Sequence, residues 1–182
     1  MAALPKPAAQ RRKPRKAYEA TVTGRRQISP DLVRLNMNSP ALVGKELEFT
    51  DHYIKLLFTP EDADYAWPFD VAQIREQQPN EQQPITRTYT LINLDPETGD
   101  FDVDFVTHGD SGLAAPWART VEVGERFGFL GPGGAWGPTE DYEHFVLAGD
   151  ETAAPAISAG LKHLPAGATA TAYIEIEADD RK

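Results

Sequence analysis

Arg87, Thr88, Tyr89 and Thr90 stand in a row in mid-chain, between a glutamine-rich stretch and an apolar run. Their types suit the parts of a flavin nucleotide. A guanidinium is a planar fork that bonds two phosphate oxygens at once. A tyrosine offers a flat face for stacking an aromatic ring. A threonine hydroxyl donates or accepts, so it can meet a ring nitrogen in either redox state. On a strand Arg87 and Tyr89 point one way and Thr88 and Thr90 the other, so a bend at the strand's end is needed to bring Thr90 round to the same ligand. The plain alternative is a strand and nothing more, because β-branched and aromatic residues are what strands prefer.

Other chemistry is sparse. Asp100, Asp102 and Asp104 alternate with Phe101, Val103 and Phe105. That alternation reads as a half-buried strand with a solvated acidic face, since hard-cation sites gather their ligands from loops. His52, His144 and His163 have no metal-like spacing and read as structural or surface residues. The chain has no cysteine, which excludes disulfides, thiolate nucleophiles, iron–sulfur clusters and cysteine-bound zinc. That fits a reducing compartment, and a cytoplasmic location is expected.

The 182 residues suffice for one domain with a core, or one domain and part of a second. No window approaches a membrane span and no signal peptide opens the chain, so no membrane role is expected. The formal charge of −10 is uneven. Lys6, Arg11, Arg12, Lys13, Arg15 and Lys16 crowd a stretch without Asp or Glu, and residues 1–17 read as a disordered basic tail. The acidic remainder argues against a nucleic-acid partner.

Strands dominate the next part. "YEATVTGRRQIS" and "LVRLNM" flank the turn signal Ser29-Pro30-Asp31, and "HYIKLLF" follows. The proline-punctuated stretch 59–84 reads as a long loop with one helical turn. "TRTYTLINL" and "GDFDVDFVTH" read as a hairpin closed by Asp95-Pro96-Glu97-Thr98-Gly99. "GLAAPWARTV" reads as a short helix with Pro116 near its start, and "GERFGFLGPGG" as a strand. Together these predict a small antiparallel barrel over residues 18–138.

After Pro138 the pattern changes. The apolar run "HFVLAGD" is expected to be a strand buried on both faces. A helix follows with Thr152 as N-cap and Pro155 in its first turn, then the strand "TATAYIEIE". This is one βαβ unit over residues 139–182, with a right-handed crossover in a parallel sheet. No G-x-G-x-x-G follows its first strand.

Four stretches in order resemble the siderophore-interacting proteins, FAD-dependent ferric-siderophore reductases of the ferredoxin-reductase-like group. They are "DHYIKLLF" (51–58), "RTYT" (87–90), "DFVTHGDSGLAAPWA" (104–118), and "GPGGAW" (131–136) with "LAGDETAAPAI" (147–157). The resemblance implies an antiparallel Greek-key FAD-binding β barrel followed by a partial parallel βαβ nicotinamide-binding domain. It implies that Tyr89 stacks on the isoalloxazine, Thr90 lies by its N5 and Arg87 contacts phosphate. His108, Gly109, Ser111, Gly112, Ala114 and Trp117 would then border the cofactor, with exposed amides at a helix N-terminus facing the diphosphate. Trp117 is equally readable as a core anchor, and His108 as a turn residue.

Asp150, Glu151 and Thr152 would lie at the carboxyl end of the first parallel strand, beside the flavin and the nicotinamide. Helix capping is the plain reading of Thr152. The chain departs from the family pattern at Ile92 and Asn93, where an arginine is usual, and at Leu113-Ala114-Ala115, where Pro-Ala-Ser is usual. The resemblance further implies a monomer that takes a hydride from NADH or NADPH and passes electrons singly to a ferric siderophore. Two other readings stand beside it. One is an FAD-binding module that needs a partner chain or further residues for reductase activity; the other is a barrel without FAD that serves as an interaction domain.

Overall fold

The computed structural model of the chain describes residues 16–107 and 112–176. Strands β1 (Ala17–Ser29) and β2 (Leu32–Asn38) form the expected hairpin about the Ser29-Pro30-Asp31 turn. β2 then pairs with β5 (Asp100–Val106) in unbroken antiparallel register. Val33, Leu35 and Met37 of β2 and Phe101, Val103 and Phe105 of β5 all face the core, as a period of two requires. β3 (Tyr53–Phe58), β4 (Ile85–Thr90) and β6 (Arg126–Gly133) complete a six-stranded antiparallel sheet in the order β4-β3-β6-β1-β2-β5. It wraps around Phe105, Phe129, Ile54, Leu56 and the short helix α2 (Ala114–Thr120).

The acidic row of β5 is not left to solvent as expected. Its register with β2 sets each aspartate opposite a donor. Arg34 forks onto Asp104 at 2.6 and 2.7 Å, Asn36 donates to Asp102 at 2.6 Å and Asn38 to Asp100 at 2.7 Å. The Asp104 side chain keeps only 6% of its surface exposed. Cross-strand pairing of this kind stabilises a ladder by about 0.2–1 kcal/mol per pair.

The hairpin expected between β4 and β5 forms only at its tip. Asp95 donates to the Asp100 carbonyl at 2.8 Å, and Ile92 and Asp102 exchange bonds of 3.0 and 2.8 Å. Beyond that bridge the strands part, because Asn93 adopts a left-handed φ of 53° and β4 pairs instead with β3. The sheet therefore meets itself at one bridge, Ile92–Asp102, with a gap between its edges.

The long loop after β3 is more ordered than its sequence pattern predicts. Asp70 accepts from the amides of Ala72 and Gln73 and caps a seven-residue helix, α1 (Val71–Gln77), where one turn was expected. Upstream of it the Trp67 indole lies against the bare backbone of Gly128 in β6, with its Nε1 donating to Glu19 at 2.9 Å. A Cβ at residue 128 would collide with that ring. Gly128→Ala is expected to cost about 1–3 kcal/mol through displacement of the indole, read as a lower urea midpoint with unchanged slope.

β7 (His144–Asp150), α3 (Ala154–Lys162) and β8 (Thr169–Glu175) make the expected parallel βαβ unit. β7 is not buried on both faces. α3 covers the face of Phe145, while Val146 on the other face is 66% exposed. Trp136 joins this unit to the sheet. Asp51 accepts from the amides of Ala135 and Trp136 at 2.9 and 3.0 Å, and the Trp136 ring packs on Gly160 of α3 and on Phe145. Among the described residues no helix is long and apolar enough to cross a membrane.

Candidate functional site

The gap between β4 and β5 holds the motif residues. In the β3–β4 register Arg87 lies opposite Leu56 and Tyr89 opposite Ile54, both of them buried. Arg87 and Tyr89 therefore share the face turned toward the core. The Tyr89 ring lies 4.4 Å from that of Phe105 across the gap, tilted by 40°. Burial raises its pKa above the ordinary tyrosine value, with nearby Arg87 opposing the shift. Thr88 and Thr90 lie opposite Lys55 and Tyr53 on the other face. β4 ends at Thr90, and the chain turns away only at Asn93, so the register does not bring Thr90 round to Tyr89.

Arg87 is exposed, and its Nη1 donates to the Thr86 carbonyl at 3.0 Å. No ion pair to a carboxylate engages it among the described residues. Such a guanidinium is available to an anion. Gly112 has a φ of 95° with open space where a side chain would sit, so a ligand can approach its backbone. Leu113 follows at the start of α2 without a side-chain cap, leaving first-turn amides unsatisfied by side chains. His108, Gly109 and Ser111 lie outside the described residues. An aromatic face and a guanidinium on one face of β4, with a glycine of left-handed φ just ahead of α2, fit a flavin with its diphosphate.

Two candidates pack against the core. The Ala114 side chain is buried there, so it has only its backbone to offer a ligand. Trp117 is partly buried against the same core and shares Phe105 with Tyr89. Its ring meets Phe58, Phe105 and Phe127 edge-on at 5.4–5.7 Å, and its Nε1 donates to Glu125 at 3.1 Å.

Asp150, Glu151 and Thr152 form the turn that carries β7 into α3. Thr152 is not the N-cap. Asp150 Oδ1 accepts from the Thr152 hydroxyl at 2.6 Å and from the amides of Thr152 and Ala153 at 2.9 and 3.1 Å. These bonds, the hydroxyl first, hold the Asp150 carboxyl below its ordinary range. Its contribution is thus present above the unfolded-state value and is lost as pH falls through the lower folded one. An acid titration followed by NMR is expected to move the Thr152 and Ala153 amide resonances together, and only below the usual carboxylate range.

A cleft of about 700 Å³ opens beside this turn, between α3 and the segment that leaves β4. Leu91, Ile92 and Leu94 line it from one side, Glu151 and Pro155 from the other, with the Arg34–Asp104 pair at its floor. Its lining does not include Arg87 or Tyr89, so it adjoins the gap at the end of the motif strand. Sequence reasoning missed this cleft. The available signal was the match of spacing between Arg34-Leu35-Asn36 and Asp102-Val103-Asp104, which predicts a cross-strand pair once the strands are set antiparallel.

Comparison with known proteins gives the chain's family. The siderophore-interacting FAD-binding domain matches residues 21–136, and the siderophore-interacting protein domain matches residues 142–182. An uncharacterized protein of Mycobacterium tuberculosis is 35% identical over 172 residues, 92% of this chain and 60% of that one. The ferric vibriobactin reductase ViuB of Vibrio cholerae is 30% identical, over 86% of this chain and 56% of its own length. Among solved structures, the siderophore-interacting protein SipS of Aeromonas hydrophila superposes with a TM-score of 0.72 at 29% identity, covering 91% of this chain and 61% of that one. The fold alone is shared with the cytochrome b5 reductase domain of Ulva prolifera nitrate reductase, with a TM-score of 0.65 at 15% identity over 90% of this chain and 65% of that one. The chain spans about 60% of the length of the curated relatives it matches first.

Proposed function

The chain belongs to the siderophore-interacting protein family, and from that premise we propose that it binds FAD in the gap between β4 and β5 and serves the reduction of a ferric siderophore. The observation that carries this reading is the gap itself. The sheet leaves its edges apart where Arg87 and Tyr89 stand, and no carboxylate among the described residues pairs with Arg87 there.

In this reading the Arg87 guanidinium would hold the diphosphate, together with the Gly112 backbone and the α2 amides. Tyr89, braced by Phe105, would stack on the flavin ring. Thr90, on the opposite face of β4, would reach the ring's edge only through a bend at the strand's end. When bound, FAD supplies the ability to accept a hydride from NADH or NADPH and to release its two electrons singly, so two ferric ions become ferrous and one proton remains. Glu151, from the turn between β7 and α3, lines the cleft between α3 and the sheet and would border a ligand there.

Where the resemblance leads one to expect an arginine after the motif, this chain has Ile92 and Asn93, and in place of Pro-Ala-Ser it has Leu113-Ala114-Ala115. The phosphate contacts therefore fall to Arg87 and to backbone amides. The reading is tested anaerobically by adding NADH or NADPH to the FAD-loaded chain, then a ferric siderophore with a ferrous chelator. Bleaching of the flavin band, its return with the siderophore and the appearance of chelated ferrous iron are expected. A flavin band that stays unchanged with either donor leaves an FAD-binding module whose electron donor acts elsewhere, and the reductase reading fails for this chain.

A further inference from the structure

The cleft that begins where the motif strand ends has a volume of about 700 Å³, within the range of sites that enclose a small organic ligand. Its charges cancel. Among the described residues that line it, Arg34, Lys45 and Lys162 are cationic and Glu46, Asp104 and Glu151 anionic. Arg34 is also committed to Asp104 by two short bonds, which raise its pKa above the ordinary value. The Lys45 ammonium is held 6.0 Å from the Tyr18 ring. His163 donates its Nδ1 hydrogen to the Ala159 carbonyl at 2.8 Å. The remaining surface is largely apolar, with Leu47, Phe49, Ile92, Leu94 and Pro155 prominent.

We infer that this cleft selects a ferric chelate of near-zero net charge that carries an apolar arm, and discriminates against a trianionic ferric tris-catecholate. This rests on the reductase reading, which supplies the reason for a chelate to be there. A polyanion gains nothing from a lining whose charges cancel, in a chain whose formal net charge is −10. Its hydration would be lost without a compensating cation. An electroneutral chelate loses little hydration, and its arm covers the apolar wall of Ile92, Leu94 and Phe49. Ile92 is the decisive residue. It stands half-buried in the cleft wall at the position where an arginine would place a cation.

The test is equilibrium dialysis of the FAD-loaded chain against two probes, an electroneutral ferric trihydroxamate with an acyl arm and a ferric tris-catecholate, at low and high salt. The neutral probe is expected to bind at least about tenfold tighter with an affinity indifferent to salt. Ile92→Arg is expected to tighten the tris-catecholate about three- to tenfold and to make its binding salt-dependent. Should Ile92→Arg lose its flavin or its fold, Lys162→Glu on the exposed end of α3 serves instead: it replaces a cation of the lining by an anion, and the tris-catecholate is expected to bind it at least about threefold more weakly than it binds the parent. Tighter binding of the tris-catecholate than of the neutral probe by the parent chain overturns the inference, as does tris-catecholate binding that is unchanged in Lys162→Glu. A chain that binds the neutral probe but is not bleached by a nicotinamide donor overturns the reductase reading and leaves the selectivity standing. A chain that is bleached but binds neither probe overturns the selectivity.

Discussion

Arg87→Ala is expected to weaken FAD binding by about 1.5–3 kcal/mol, or roughly 10- to 150-fold in Kd, the range of a hydrogen bond to a charged group. The same change should leave stability within about 0.5 kcal/mol, because Arg87 is exposed and, among the described residues, bonds its neighbour's carbonyl alone. Tyr89→Ala removes the ring that Phe105 braces. A stacked aromatic pair is worth about 0.5–1.5 kcal/mol beyond the area it buries, so a loss of at least several-fold is expected. Titration of FAD fluorescence with each purified variant reads both values. Parental affinity in both variants would remove the cofactor from the gap between β4 and β5.

Trp117→Ala separates a core anchor from a cofactor wall. The ring touches Phe58, Phe105 and Phe127, three aromatic side chains from three strands or their ends, and its Nε1 holds Glu125. Truncation leaves a cavity that rigid strands cannot close. A loss of about 3–5 kcal/mol in unfolding free energy is expected, the range for large aromatic truncations in a core. For a domain of this size that is a large share of total stability. Urea unfolding of the FAD-free chain checks it. An unchanged midpoint with weakened FAD binding would reassign Trp117 to the cofactor.

Much of this arrangement was legible in the sequence, and the reasons differ by element. β2 and β5 alternate strictly, and each buries one face, so the pattern of two reads directly into the ladder. Asp95-Pro96-Glu97-Thr98-Gly99 carries turn chemistry in its own residues, and the turn forms. What local pattern cannot carry is partner choice. β4 and β5 are neighbours in sequence with a good turn between them, yet β4 ladders with β3 and β5 with β2. The decision is made by Asn93 turning left-handed and by the row of donors on β2 that the aspartates of β5 meet.

Burial was the second blind spot. "HFVLAGD" is as apolar as a strand covered on both faces, but one helix packs on one side of it and Val146 is exposed on the other. Thr152 does not cap α3 because its hydroxyl is drawn to Asp150, whose carboxylate reaches two amides and that hydroxyl in the turn ahead of the helix; the N-cap is Ala153, with no side-chain bond. The cleft escaped notice for a different reason. Its walls come from residues 28–52, 91–104 and 151–163, which no sequence window joins. The side chains that suit the flavin were visible because four of them stand in a row; the surface that would choose the substrate was not.

The central claim is that the open edge of the sheet is a flavin site, and a visible absorption spectrum of the chain after incubation with FAD and removal of free cofactor tests it most directly. The account predicts retained flavin bands with the resolved shoulders of a ring held away from water, and loss of those bands in Arg87→Ala. A colourless chain that refuses added FAD, while unfolding cooperatively in urea, would contradict it.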